Sequence, residues 1–208
     1  MGDVTKADLE ALRRLAEEGR SAPLAGGRHL AAFSSLSAVG LLGLYWLIES
    51  KAPGWTALAL WGGLMAVGAG LFMVFNRQTA DLPGAHTATG KTEGMVWSYG
   101  GFAIFAFALA YVLRLAMGLE TPPMMGGLIG TVGFLAYGIA FFTSAGLSQQ
   151  KWLLWPGYGA FVSAVLVALI AQDTLVLPVT AGLIVPVGTL PGLMLMRAER
   201  AGAASGRV

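Results

Sequence analysis

Six stretches of this chain contain no Asp, Glu, Lys or Arg: residues 30–48, 55–75, 95–113, 124–147, 152–172 and 174–196. A bilayer hydrocarbon core of roughly 30 Å takes about 20 apolar residues of helix to cross, and each run is long enough. In lipid, backbone N–H and C=O groups must be paired inside the protein, which leaves helices or a closed barrel. Barrel strands would alternate polar and apolar residues over about ten positions, and these runs do not alternate. The pattern predicts an all-α integral membrane protein with six transmembrane helices. Composition agrees. Charged residues make up 12% of the chain, against about 25% in soluble domains.

The basic residues orient the helices. Six spans put both termini on one side. That side receives Lys6, Arg13, Arg14, Arg20, Arg28, Arg77, Lys91, Lys151, Arg197, Arg200 and Arg207, leaving only Lys51 and Arg114 of the 13 Lys and Arg for the other. The positive-inside rule places the basic side, with both termini, in the cytoplasm. Compact loops and an Ala/Gly/Arg-rich composition point to a bacterial inner membrane. The flanks account for the basic isoelectric point, so neither nucleic acid nor acidic substrates are implied.

Residues 1–28 are predicted to form a cytoplasmic amphipathic helix and link, 29–197 the membrane domain with a cytoplasmic loop at 77–94, and 198–208 a disordered tail. Within residues 3–18, Leu9, Leu12 and Leu15 make a narrow apolar stripe. The polar face mixes Lys6, Arg13, Arg14 and Arg20 with Asp3, Asp8, Glu10, Glu17 and Glu18. A lipid-surface helix would carry a Lys/Arg-rich face, so this stripe is expected to dock on the protein's own cytoplasmic loops or on a partner. His86, in the long loop, is a second candidate contact.

The non-cytoplasmic links are short, which predicts three consecutive hairpins. Gly127 and Gly133 in the fourth run are echoed by Gly182 and Gly188 in the sixth, leaving open either a repeated hairpin or chance likeness of Gly-rich segments. Small residues four apart, as in Ala66/Gly70, Gly126/Gly130 and Gly188/Gly192, let helix backbones approach closely. They serve either packing within the chain or a homo-oligomer face. Pro178 fits a first helical turn. Pro186 and Pro191 are interior and predict a kinked or broken sixth helix.

The stretch "GAHTATGKT" (84–92) imitates a phosphate-binding loop. However, Gly84 and Gly90 enclose five residues, and Ala85 stands where the first Gly of the motif should be. It also follows a membrane helix instead of a strand. Nucleotide binding is not expected.

Catalysis and ion coupling in membranes rest on ionisable residues inside the bilayer, and none is expected near a midplane. There is no Cys, and His29 and His86 lack a metal-ligand pattern. No Ser has an evident base and acid beside it. Neither an enzyme, a metal nor a cofactor is expected. Mild polar residues at mid-depth include Thr131, Tyr137 and Thr189. A membrane enzyme acting on lipid ranks well behind, for want of a visible acid/base set, and two functions lead. One is a non-enzymatic accessory, scaffold or regulatory membrane protein with a cytoplasmic or membrane partner besides the lipid bilayer. The other is a small uncoupled transporter or channel for a small or neutral solute, with Thr131, Tyr137, Pro186 and Thr189 as contacts along the kinked sixth helix.

Overall fold

The structure, a computed structural model, describes residues 26–79, 88–117, 119 and 124–205. Among these, every regular element is a helix: α1 (Gly27–Glu49), α2 (Gly54–Thr79), α3 (Ala88–Ala116), α4 (Met125–Ser148), a 3-10 turn (Lys151–Leu153), α5 (Leu154–Leu169), α6 (Val176–Ile184), a π segment (Val185–Thr189) and α7 (Leu190–Ser205). Six helices are long and apolar enough to cross a membrane, the sixth being α6, the π segment and α7 taken together. The stripe residues Leu9, Leu12 and Leu15, and also His86, lie outside the described residues.

Two boundaries differ from expectation. Helix α2 runs to Thr79 and α3 begins at Ala88, so most of the expected 77–94 loop is helix. Charge marks where a helix leaves lipid, whereas the helix itself continues while its hydrogen-bond ladder is favourable. The same holds at the end of the chain. Residues 198–205, expected to be disordered, continue α7, and Ala, which makes up half of them, is the strongest helix former.

The helices pack around a core of α1, α4, α5 and the sixth span. The most extensive pairings are α4 with α5, α3 with α4, and α1 with α6 and α7. The sixth span thus leans chiefly on the first helix and only lightly on the fifth, so three separate hairpins are not what organises the contacts. Helix α2 packs on α1, and α3 on α4; both are otherwise exposed along their length. Core positions include Phe134, Phe141, Leu153, Ala160, Ala164, Val167 and Ala181.

Lipid is as apolar as the side chains, so association depends on close packing. The seam between α1 and the sixth span shows this. A Cβ on Gly27 would lie 2.7 Å from the Met196 N and 2.8 Å from the Leu195 Cβ. One on Gly192 would lie 2.8 Å from the Ala31 Cα, and one on Gly188 2.8 Å from the Ser34 Cβ. The glycines of the apparent echo do not share this work. Gly127 abuts Ala171, whereas Gly182 has nothing within 4 Å of where its Cβ would be. Gly70 and Gly126 are also open.

The sixth helix is not broken. Between Pro186 and Pro191 its turn widens, and the Leu190 N–H donates to the Val185 carbonyl five residues back. The missing amides of two prolines spaced by five residues are absorbed by one π turn, a device often found near functional sites. Pro178 sits in the first turn of α6, where its lack of an N–H costs nothing.

Candidate functional site

Buried polar chemistry gathers at the end of the bundle where α1 begins and α7 approaches its end. On the sixth span, Gly188, Gly192, Leu195 and Glu199 recur at helical spacing, and all four are buried. The stripe faces α1 and delivers a carboxylate to its first turn. Glu199 Oε1 accepts the Gly27 N–H at 3.1 Å, and Oε2 lies 3.8 Å from Arg28 Nε. The first N–H groups of a helix have no partner within it, and a carboxylate there also opposes the helix dipole favourably. Arg28 Nη1 in turn donates to Gln78 Oε1 of α2 at 2.6 Å. His29 Nε2 and Asn76 Oδ1 are 3.1 Å apart. The start of α1 is therefore stitched to the last turns of both α2 and the sixth span.

A second carboxylate, Glu93, is buried near the start of α3. It is 6% exposed and accepts the Ser144 hydroxyl at 2.9 Å. Ser144, on α4, also accepts the indole N–H of Trp97 at 3.3 Å, using the donor and acceptor capacity of one hydroxyl. Trp97 meets Phe141 and Tyr137 edge to face, at centroid distances of 5.1 and 5.6 Å. The Tyr137 hydroxyl is 3.3 Å from Ser34 Oγ on α1. Next to it, Ser35 Oγ is 3.4 Å from Thr189 Oγ1 in the π segment. A polar chain thus runs from Glu93 through Ser144, Trp97, Tyr137 and Ser34, joining three helices.

Ser144 and Glu93 thereby fasten α4 to α3. Among the described residues no group of three His, Cys, Asp or Glu is placed to hold a metal ion.

The residues expected to contact a solute are only partly brought together. Tyr137 and Thr189 converge on the adjacent serines 34 and 35 of α1. Thr131 turns back to the Gly127 carbonyl of its own helix at 3.1 Å, as hydroxyls in membrane helices often do. Pro186 lies on the exposed face of the sixth span. The four therefore do not line one path.

Glu93 and Glu199 escaped the reading of the sequence, which placed one in a loop and the other in a tail. A helical stripe could have found both. Gly188, Gly192, Leu195 and Glu199 continue one face beyond the apolar run, and Glu93, Trp97 and Gly100 do so ahead of theirs. Trp97 is held inward by Ser144 and Phe141.

The described residues also line hollows at the surface. An apolar crevice of about 260 Å³ lies between α1 and α2, lined by residues that include Phe33, Ser37, Trp61, Gly68, Ala69 and Phe72. At the opposite end of the bundle, a hollow of about 410 Å³ is formed by Met124 and the end of α5 through Asp173. Compared with protein-family models, curated proteins and solved structures, the chain matches none.

Proposed function

We propose that this chain is a non-enzymatic accessory or regulatory membrane protein that presents its cytoplasmic face to a partner. The carrying observation is the use made of the two buried carboxylates. Glu199 and Glu93 fasten α1, α3, α4 and the sixth span at the end where the chain enters α1 and where α2 and α3 are linked. Such an end is a rigid platform for the residues 1–25 that lead into it, whose leucine stripe suits docking better than membrane adsorption. The positive-inside rule makes this face cytoplasmic, and the charge distribution and compact loops fit a bacterial inner membrane.

A solute path along the sixth helix is less well supported. Its face toward α1 is closed by main-chain contact at Gly27 and Gly192 and by Ser34 and Tyr137 against Gly188, and Thr131 and Pro186 point elsewhere.

The test is cross-linking in native membranes with the full chain and with residues 1–20 deleted. Loss of specific cross-linked species is expected on deletion, and an unchanged set would refute the reading. Topology reporters at Ala52 and Arg207 check the orientation. The cytoplasmic signal is expected from Arg207 alone; a cytoplasmic signal from Ala52 would overturn the assignment.

A further inference from the structure

We infer that the crevice between α1 and α2 is a binding site for one phospholipid with an anionic headgroup, its acyl chain in the crevice and its phosphate over the His29–Asn76 pair.

The crevice has the shape and length for a chain. Its α2 wall runs from Trp61 to Phe72, about 16 Å at the helical rise of 1.5 Å per residue. That is comparable to one leaflet of a hydrocarbon core roughly 30 Å thick. Gly68 gives it depth: a Cβ there would stand only 3.1 Å from Phe33 Cε1. The lining is almost wholly apolar, with Ser37 the one hydroxyl.

A polar cap lies at the end toward the start of α1. His29 stacks on Phe33 at a centroid distance of 6.5 Å and meets Phe72 edge-on at 5.6 Å, and both phenylalanines line the crevice. His29 and Asn76 continue the crevice-lining stripes of α1 and α2 by one turn each, so their paired side chains mark its mouth. Arg28 and Arg77 flank that pair, one on each helix. The first turn of α1 carries no acidic residue of its own, Glu199 of the sixth span pairs with Arg28, and Arg77 is the basic residue of the last turn of α2. Cationic flanks over an apolar slot are complementary to a phosphate ester on an acyl chain. An anionic headgroup gains chiefly from Arg77, since Arg28 is shared with Glu199, whereas a zwitterionic one brings its own cation to the same place. The site is independent of the partner surface proposed above, because it faces lipid between α1 and α2.

Trp61 in the lining supplies the reporter. The full chain is reconstituted into phosphatidylcholine vesicles containing an equal mole fraction of either brominated phosphatidylglycerol or brominated phosphatidylcholine. The share of emission lost in Trp61→Phe isolates the Trp61 signal. Stronger quenching by the brominated phosphatidylglycerol is expected. Arg77→Gln should lower that preference by about fivefold, the effect of one basic residue at an anionic surface. Ser37→Leu and Ala69→Leu, which fill the crevice from opposite helices, should abolish it. Either filler alone decides the point if the other fails to fold. Equal quenching by the two lipids, a preference that survives a folded filler, or an unchanged preference in the surface variant Arg77→Gln would overturn the proposal.

Discussion

Replacing Gly192 with alanine probes the seam on which the bundle depends. The added methyl meets main-chain atoms of α1: Ala31 N, and the Ala31 Cα at 2.8 Å. These cannot swing aside as a side chain would, so α1 and α7 must separate. Overpacking costs about 1–3 kcal/mol, and contact with unyielding main chain puts this substitution in the upper half, about 2–3 kcal/mol. Alanine recovers up to about 1 kcal/mol of that through its better helix propensity. A net loss of about 1–2 kcal/mol remains, equivalent to roughly 2–8 °C in melting temperature for a chain of this size. The matched control is Gly182→Ala, on the same span, where a Cβ finds nothing within 4 Å. It should be neutral or slightly stabilising. Both variants are purified in one detergent, and thermal unfolding is followed by near-UV circular dichroism and by the fraction remaining monodisperse after heating. If Gly192→Ala melts with the wild type, or if both alanines shift the midpoint alike, the seam is not held by backbone contact and the reasoning fails.

The carboxylate fastenings give further tests in the same assay. Glu199→Gln keeps an oxygen for the Gly27 N–H but loses the pairing with Arg28, whereas Glu199→Ala also strands that buried donor. Alanine should be the worse by about 1–3 kcal/mol, the cost of an unsatisfied buried polar group. Ser144→Ala removes the hydroxyl that donates to Glu93 and should destabilise by about 1–3 kcal/mol, the cost of an unsatisfied buried polar group. Adding Glu93→Leu should return part of that loss, because the pair is then coupled; strictly additive effects would show that Ser144 and Glu93 do not act together.

How much of this was legible beforehand can be judged helix by helix. The six spans follow from runs without charge, since the transfer cost of a charged side chain and the thickness of the bilayer are properties of each segment by itself. The close role of Gly188 and Gly192 was also visible as small residues four apart. The equivalent spacing at Gly126 and Gly130 reads the same way, yet only Gly130 meets a neighbour, packing on Val167 and Thr180. Spacing shows that a face is smooth, not which helix will lie on it.

What the sequence determined alone is therefore the class of object: an all-helical chain whose six long helices are apolar enough to cross a membrane, with their ends marked by charge. The tertiary structure decided where that charge goes. Glu93 and Glu199 sit beyond the uncharged runs and look like water-facing residues of a loop and a tail. They are buried because Ser144, Gly27 and Arg28, distant in the chain, come to meet them. Burial of a carboxylate is favourable only when partners satisfy it, and those partners lie 51, 172 and 171 residues away. A local pattern carries no record of such pairings; the packing of α1 against the sixth span creates them.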